Sequence, residues 1–259
     1  MAYVDLHTEG HTLLIKINRP EKYNALNLAM YHELGQAYAR LDADATLRVA
    51  VLCAEGKHFT AGIELNEWAP IFGRGEGFVP GPGEIDPLGV TGPQHRKPVI
   101  IAVQGYCFTW GVEILLNSEI RIASRDTQFQ MLEVQRGLYP CGGATFRLPR
   151  EVGWANAQRV LLTGERWSAE TALNWGLVQE VVETGGQVTR ALELAQAVGD
   201  AAPLAVQACL KATRYGLEHS REQAVAQVNR DLAPVMNSED AAEGVRSFLE
   251  RRKAAFTGR

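Results

Sequence analysis

The sequence predicts an α/β fold, because short apolar runs of strand length alternate with helical patterns along most of the chain. Residues 12–17 and 47–53 are such runs, and between them apolar residues recur at helical spacing after Asn27. A strand, a helix and a second strand in that order imply a right-handed crossover and a parallel sheet. From residue 187 onward the pattern is helical, which predicts a helical region after the sheet.

The N-terminal half is predicted to contain a hairpin, a helix and a further buried strand. Residues 4–17 place apolar strands on both sides of Glu9-Gly10, as in a β-hairpin. Asn27 is a good N-cap for the helix that follows it. Val99–Val103 is short, apolar and rich in β-branched residues, which is typical of a buried strand. The glycine- and proline-rich residues 71–93 predict a mobile loop that shapes a substrate site.

The C-terminal half is predicted to be helical apart from one short strand. Ser168 begins one helix, and residues 177–182 form the strand. The other predicted helices span residues 144–152, 155–162, 187–198, 203–217, 221–232 and 238–255. The last of them carries Arg251-Arg252-Lys253 near its end, where the helix dipole favours positive charge.

Composition indicates a globular protein with no general affinity for polyanions. The chain has 259 residues, 46% of them hydrophobic and 22% charged, which are ordinary values for a soluble domain. A net charge of −4 predicts neither a nucleic acid nor a membrane as partner. The N-terminus has no signal-peptide pattern, and no apolar run reaches the length of a membrane span. Four scattered cysteines are interpreted as reduced residues of a cytoplasmic protein: Cys53, Cys107, Cys141 and Cys209.

Two places in the chain combine a strand end with a helix start. Gly111 lies in the first turn of a predicted helix, where backbone N–H groups lack internal partners and the dipole favours negative charge. A glycine there either lets a ligand oxygen approach the backbone or only allows tight packing. Residues 58–64 are the second such place, and ligands of open α/β sheets bind at these ends.

Two glutamates with apolar neighbours are candidate acid–base groups. Glu113 follows Gly111 by two residues, and Glu133 follows the apolar segment that contains Phe129. Apolar surroundings raise the pKa of a carboxyl toward neutrality, which suits proton transfer. The alternative is that each glutamate lies on a solvated helix face, as most acidic residues do.

The chain resembles the crotonase superfamily, the enoyl-CoA hydratase/isomerase family, over nearly its whole length. The matching segments occur in the family's order and spacing, which makes the resemblance specific although each segment alone is weak. They include Asn18-Arg19-Pro20, Asn24-Ala25-Leu26, Phe59-Thr60-Ala61-Gly62-Ile63, the segment from Lys97 to Gly105, Gly111-Val112-Glu113, Gly142-Gly143, Leu162-Thr163-Gly164, and the terminal residues 248–256.

The resemblance implies a fold, a substrate class and a set of site residues. The fold would be a spiral of ββα units, with a core domain of residues 1–200 and a C-terminal helical trimerisation region of residues 201–259, and trimers often pair into hexamers. The substrate would be an acyl-CoA whose thioester oxygen is held by the N–H groups of Ile63 and Gly111, while Glu113 and Glu133 share the acid–base roles. No metal or other cofactor is implied. Further substrate or coenzyme A contacts map to Tyr23, Ala25, Ala61, Gly62, Glu64, Leu65 and Trp110, and Arg251 is a candidate for a CoA phosphate, with helix-dipole complementation as the alternative.

The chain departs from the family pattern close to these residues. Thr109 and Trp110 stand where relatives have glycines, so the acyl pocket is expected to be reshaped by the indole. Glu64 replaces an aspartate, and Gln130 and Leu132 replace a glycine and a proline.

Three hypotheses about function follow from this resemblance. Retention of both glutamates favours a hydratase that adds water to a 2-enoyl-CoA. An enoyl-CoA isomerase or another crotonase-type lyase would need only one of them. A non-catalytic acyl-CoA-binding protein would have its site partly closed by Trp110.

Overall fold

The computed structural model describes residues 2–259, which form two β-sheets and ten α-helices within that range. The larger sheet has six strands in the order β1-β2-β3-β4-β6-β9, and all neighbours are parallel except the β1–β2 hairpin. The smaller sheet has the order β5-β7-β8. The strands are β1 Val4–Glu9, β2 Thr12–Ile17, β3 Val49–Ala54, β4 Val99–Val103, β5 Tyr106–Phe108, β6 Ile120–Ser124, β7 Gln128–Gln130, β8 Arg166–Ser168 and β9 Glu180–Val182.

Helices connect the parallel strands and then continue alone to the C-terminal end. Four helices, α7 to α10, follow one another after the last strand. The helices are α1 Leu28–Ala43, α2 Leu65–Phe72, α3 Trp110–Leu116, α4 Ala144–Val152, α5 Trp154–Thr163, α6 Ala169–Asn174, α7 Gln187–Gly199, α8 Pro203–Glu218, α9 Arg221–Met236 and α10 Glu239–Glu250. None of the described helices is both long and apolar enough to cross a lipid bilayer.

Strands β3 and β4 lie at the centre of the larger sheet, and every residue of both is buried. Helix α7 covers one face, where Ala191 and Ala195 pack against Val49, Val51 and Ile100. The opposite face packs against the main core, which includes α1 and the segments around the cavity described below. Burial on both faces explains why these strands are continuous apolar runs rather than alternating ones.

Several sequence predictions are confirmed by the structure. The hairpin is present, and the Asn27 side chain caps α1 by accepting a hydrogen bond from the Met30 amide. Val99–Val103 is a buried strand, and Gly111 lies in the first turn of α3. The α/β class is correct, whereas a division into domains at residue 200 stays a prediction. All four cysteines are free.

The predicted extent of the last helix is wrong. Helix α10 ends at Glu250, because Arg251 adopts a left-handed conformation with φ 54°. The chain then folds back, and the backbone N–H groups of Ala255 and Thr257 donate to the acidic side chains of α10. The basic cluster therefore follows the helix instead of lying in its last turn. Its middle member Arg252 is paired with Glu243 and Glu250.

Residues 71–93 are anchored to the core, contrary to the expected mobile loop. Phe78 and Leu88 are buried, and so is the carboxylate of Asp86. Asp86 accepts hydrogen bonds from the backbone N–H groups of residues 88, 90 and 91 and from the hydroxyl of Tyr31. The smaller sheet was not predicted, because its strands are only three residues long.

Candidate active site

A cavity of about 880 Å³ opens beside the first turn of α3. Its wall is mostly apolar and comes from four segments: residues 61–63, residues 65–78, residues 109–113 and residues 132–141. Phe72 and Phe78 lie in the second segment, so the glycine-rich stretch forms part of the cavity wall. Glu113 and Glu133 also line the cavity, so the two predicted carboxyls share one space.

The backbone N–H of Ile63 is free to bind a ligand at this cavity. Ile63 forms an isolated parallel bridge with Leu26, in which Leu26 N donates to Gly62 O and Glu64 N donates to Leu26 O, each at 2.9 Å. In such a bridge the residues on either side of Ile63 make the hydrogen bonds, so its own N–H points away from the partner strand. Within residues 2–259 this N–H donates to no protein acceptor.

The backbone N–H of Gly111 is likewise without an acceptor among the described residues. It lies in the first turn of α3, where backbone N–H groups have no partner within the helix. Its neighbours Trp110 and Glu113 line the cavity. A side chain could not replace the glycine hydrogen, since a Cβ atom would lie 2.5 Å from Cγ2 of Thr60. Gly111 itself is buried and is not part of the cavity wall, so the structure shows tight packing at this position, and access of a ligand to its N–H stays a prediction.

A short backbone pairing holds the two donor segments together. Thr60 and Cys107 form a parallel bridge, in which Thr60 N donates to Tyr106 O at 2.8 Å and Phe108 N donates to Thr60 O at 3.1 Å. Ile63 and Gly111 each follow this bridge by a few residues. The relative position of the two free N–H groups is thus set by paired backbone rather than by flexible side chains.

Glu113 is a buried carboxyl with backbone partners. Its Oε1 accepts hydrogen bonds from the N–H of Gly142 at 2.7 Å and of Ala144 at 3.2 Å. Burial raises the pKa of Glu113 to about 7, although these two bonds and the nearby Arg147 guanidinium favour the ionised form. Its carboxylate is therefore held in one orientation and exchanges its proton near neutral pH.

Glu133 is less well hydrogen-bonded than Glu113. It opens the 3-10 turn Glu133–Arg136, and its Oε2 is buried with no hydrogen-bond partner among the described residues. Burial, followed by the charge of Glu113, raises the pKa of Glu133 to about 8. At pH 7 to 8 the pair consequently favours one ionised and one protonated carboxyl, with Glu133 the protonated one.

This arrangement provides three chemical capabilities in or next to one mostly apolar cavity. Two unpaired N–H groups can stabilise an oxyanion, one carboxylate can accept a proton, and one carboxylic acid can donate a proton. No group of three His, Cys, Asp or Glu side chains that could hold a metal ion occurs in the part of the chain that the structure describes.

The structure separates the predicted ligand residues into two groups. Ala61, Gly62, Leu65 and Trp110 line the cavity beside Ile63. The cavity wall does not include Tyr23, Ala25, Glu64 or Arg251. Glu64 instead pairs with Arg19 at 2.7 Å. Tyr23 and Arg251 are exposed.

Trp110 does not close the cavity, contrary to what its size suggests. The side chain is 1% exposed, and its Nε1 donates to Gly62 O at 2.6 Å. Gln130, at the other departure from the family pattern, donates to Gly164 O and accepts from Arg166 Nε. Both residues are thus part of the scaffold around the site.

The sequence did not reveal which residues orient Glu113. Gly142 and Ala144 supply its hydrogen bonds, and Arg147 bonds the carbonyls of Leu88 and Gly89 at 2.6 and 2.9 Å. In the sequence, the Gly142-Gly143 pair stood out as one of the segments that match the family. Nothing in the linear pattern connected that pair to a glutamate about thirty residues earlier.

Comparison with known proteins identifies close relatives over the full length of the chain. Residues 7–259 match the family model described as enoyl-CoA hydratase/isomerase. An enoyl-CoA hydratase from Mycobacterium tuberculosis is 38% identical over 254 residues, covering 96% of this chain and 94% of the relative. A mevalonyl-coenzyme A hydratase from Aspergillus fumigatus is 36% identical, covering 94% of this chain and 90% of the relative. The crystal structure of a probable enoyl-CoA hydratase/isomerase from Mycobacterium abscessus superimposes with a TM-score of 0.96 at 40% identity and covers 99% of both chains.

Proposed function

The chain belongs to the enoyl-CoA hydratase/isomerase family, and we propose that it adds water across the C2=C3 bond of a 2-enoyl-CoA thioester. The observation that carries this proposal is the meeting of Glu113 and Glu133 in one cavity beside two unpaired backbone N–H groups. A hydratase needs a base for the water and an acid for C2. The relatives that are named hydratases support the same reaction class.

The N–H groups of Ile63 and Gly111 would bind the thioester oxygen. Attack of water at C3 moves electrons toward that oxygen, so negative charge develops there as an enolate forms. Fixed donors stabilise this charge without having to reorganise, and loss of one such donor typically costs about a hundredfold or more in rate. Their attachment to the Thr60–Cys107 bridge is the kind of preorganisation that this role requires.

Glu113 acts as the base and Glu133 as the acid in the proposed hydration. The Glu113 carboxylate, oriented by Gly142 and Ala144, accepts a proton from water as its oxygen bonds to C3. Glu133, protonated near pH 7, then transfers its proton to C2 as the enolate collapses. The product is a 3-hydroxyacyl-CoA, and the two carboxyls have exchanged protonation states. Return of one proton from Glu113 to Glu133 through solvent resets the site.

The acyl group would occupy the cavity, and the coenzyme A part of the bound substrate would extend out through the cavity opening. Tyr23, Ala25 and Glu64 are proposed to contact the nucleotide or pantetheine at the edge of the site, and Arg251 to reach a phosphate. Arg251 has no acidic partner among the described residues, which leaves its charge available. The reaction as written uses no metal ion and no further cofactor.

Self-association of the C-terminal helices is proposed as well. Helices α8, α9 and α10 expose large apolar side chains that a monomer would leave in water. Their exposed fractions range from 48% to 81% at Leu217, Val225, Val228, Leu232, Met236, Val245, Phe248 and Leu249. A trimer, or a hexamer of two trimers, would cover them. We also propose a cytoplasmic location, in keeping with four free cysteines.

The proposal is tested by direct assay of purified protein. Crotonyl-CoA, longer-chain and branched 2-enoyl-CoA esters lose conjugated absorbance when hydrated, and a 3-enoyl-CoA tests isomerisation. Turnover of at least one 2-enoyl ester is expected. Binding of coenzyme A esters by calorimetry without turnover of any of them would instead support a non-catalytic acyl-CoA-binding protein.

A further inference from the structure

The indole of Trp110 is attached to the peptide that carries one of the two free donors. Trp110 Nε1 donates to Gly62 O at 2.6 Å, and Leu26 N donates to the same oxygen at 2.9 Å. The Thr60 hydroxyl lies 3.2 Å from that oxygen but donates its one hydrogen to Asn24 O, which is closer at 2.8 Å. A carbonyl that accepts hydrogen bonds from both Trp110 and Leu26 has little freedom to rotate.

Fixing the Gly62 oxygen also fixes the direction of the Ile63 N–H. The two groups belong to one planar peptide unit, and no cis peptide bond occurs among the described residues. In a trans peptide the N–H points opposite to the C=O. The Trp110 indole thus holds the carbonyl on one side, while the N–H on the other side is left free beside the cavity.

Gly62 is the residue at which this peptide would otherwise be free to turn. Its φ is 124°, a conformation that side-chain-bearing residues rarely adopt, and glycine resists rotation less than other residues. A Cβ at this position would lie 2.9 Å from Oγ1 of Thr109, so a stiffer residue does not fit. Other residues must therefore restrain the Gly62–Ile63 peptide. The side chain that does so is the indole of Trp110, which belongs to the same segment as the second donor.

Trp110 directly precedes Gly111, so its side chain links the two donor segments. The backbone of Trp110 leads into the Gly111 N–H, and its indole holds the peptide that ends in the Ile63 N–H. A hydrogen bond to a peptide carbonyl also polarises that peptide and strengthens its N–H as a donor, by about 10–30% per bond. One side chain thereby affects both the orientation and the strength of the pair.

We propose that Trp110 is a positioning residue for the oxyanion donors, acting through the Gly62–Ile63 peptide. The inference rests on the proposed function, because it assumes that these N–H groups bind a thioester oxygen. A purely structural role would make Trp110 a core residue that packs against Phe59, their ring centres being 6.2 Å apart. The two roles differ in whether polarisation of the bound carbonyl depends on the indole N–H.

Two substitutions separate the hydrogen bond from the packing. Trp110→Phe keeps an aromatic ring but removes the N–H. Trp110→His loses the benzene ring but can keep a donor, because imidazole Nε2 overlies indole Nε1 when the five-membered rings coincide. Trp167→Phe is the matched control, since that indole is also buried but its Nε1 has no hydrogen-bond partner among the described residues.

The readouts are kcat, KM and the absorbance of bound 4-dimethylaminocinnamoyl-CoA. This ester absorbs at longer wavelength as its carbonyl becomes more polarised, and it needs no turnover. Trp110→Phe should lower kcat by about tenfold to a hundredfold, change KM less than about threefold and reduce the red shift of the bound ester. Trp110→His should retain more of both kcat and red shift although it is the less stable protein. Trp167→Phe should match wild type.

Wild-type kcat and red shift in folded Trp110→Phe would overturn the inference and leave the hydratase proposal standing. The inference is also overturned if both properties track thermal stability across the variants. Should Trp110→Phe not fold, Trp110→His is compared with Trp110→Leu, which is similar in size to histidine and has no donor. If wild type hydrates no enoyl ester, the proposed function fails, and the red shift alone decides the role of Trp110.

Discussion

Glu113 Oε1 lies 2.7 Å from the amide nitrogen of Gly142 and accepts a hydrogen bond from it. This contact joins α3 to the loop before α4, and the Ala144 N–H reinforces it. A buried carboxylate whose orientation is set by two backbone donors has little freedom to rotate. The predictions that follow depend on this contact, on the second carboxyl Glu133 and on the elements around them.

Substitution of either carboxyl should remove most of the activity. Glu113→Gln and Glu133→Gln each lose a proton acceptor or donor, which typically costs about a hundredfold to ten-thousandfold in kcat. Loss of conjugated absorbance with a 2-enoyl-CoA measures the effect. Glu165→Gln, which alters a surface ion pair with Arg159 outside the cavity, is the control. Wild-type activity in either cavity variant would contradict its assigned role, and a 3-enoyl-CoA assay would show whether isomerisation needs only one carboxyl.

A single methyl group at Gly142 should displace Glu113. A Cβ atom there would lie 2.5 Å from Oε2 and 2.9 Å from Cδ of the glutamate, both buried. Gly142→Ala should lower kcat at least about tenfold and cost about 1–3 kcal/mol of unfolding free energy through overpacking. Gly216→Ala, at an open and exposed position in α8, should leave activity unchanged. Equal kcat in the two variants would show that the orientation of Glu113 is unimportant.

Activity should show a narrow bell-shaped dependence on pH. Burial raises the pKa of Glu113 to about 7 and that of Glu133 to about 8, so the form with one charge predominates between these values. The rate kcat/KM should rise as Glu113 ionises and fall as Glu133 loses its proton. Glu133→Gln should abolish the alkaline limb in the residual activity. A flat profile from about pH 6 to 9 would exclude this pair as the titrating groups.

Stability should decrease with rising pH because of the same carboxyls. A folded-state pKa above the unfolded value means that the folded protein binds the proton more tightly. This contribution is complete below about pH 4.5 and is lost as pH rises through about 8 for Glu133. For each carboxyl the loss is at most about 1.4 kcal/mol per pH unit. Urea unfolding of wild type and Glu133→Gln at about pH 5.5, 7 and 8.5 should therefore show the variant gaining relative stability at each step.

Thr109 is held in a conformation that suits glycine, with φ 50° and ψ −115°. Its Oγ1 is buried without a partner among the described residues, so the side chain adds strain and an unsatisfied hydroxyl. Thr109→Gly should raise the unfolding free energy by about 1 kcal/mol, whereas Thr109→Ala keeps the Cβ and should gain less. Chemical denaturation measures both. If Thr109→Ala were more stable than Thr109→Gly, the unsatisfied hydroxyl rather than backbone strain would dominate the stability effect at this position.

A charged residue introduced into the exposed apolar surface of the C-terminal helices should dissociate the proposed trimer or hexamer. Leu232 in α9 is 53% exposed, and Leu232→Glu would place a carboxylate in the proposed interface. Light scattering after gel filtration should show a lower mass than for wild type. Leu173→Glu, at a 40% exposed leucine in α6, is the control and should keep the wild-type mass. A wild-type protein that is monomeric at micromolar concentration would refute the self-association proposal directly.

The strands and helices could largely be predicted from local patterns. β4 was predicted with its observed boundaries, and so was the helix over Ala144–Val152, because apolar periodicity and capping residues act over short distances. The strands of the smaller sheet were not predicted, since three residues give no periodicity. The end of α10 was misplaced because Asp240 and Glu243 hold the returning tail through contacts that no local pattern records.

The amino-acid sequence by itself determined which residue types were available: two glutamates in apolar surroundings, a glycine at a helix start and a family order of motifs. Only the tertiary structure decided that Glu113 and Glu133 share one cavity, that Gly142 orients the first of them, and that the indole of Trp110 supports the site instead of blocking it. The physical reason is that a buried carboxyl or indole N–H must find a partner, and that partner lies 29 residues away for Glu113 and 48 residues away for Trp110. Folding brings such partners together, and their spacing along the chain carries no sign of it.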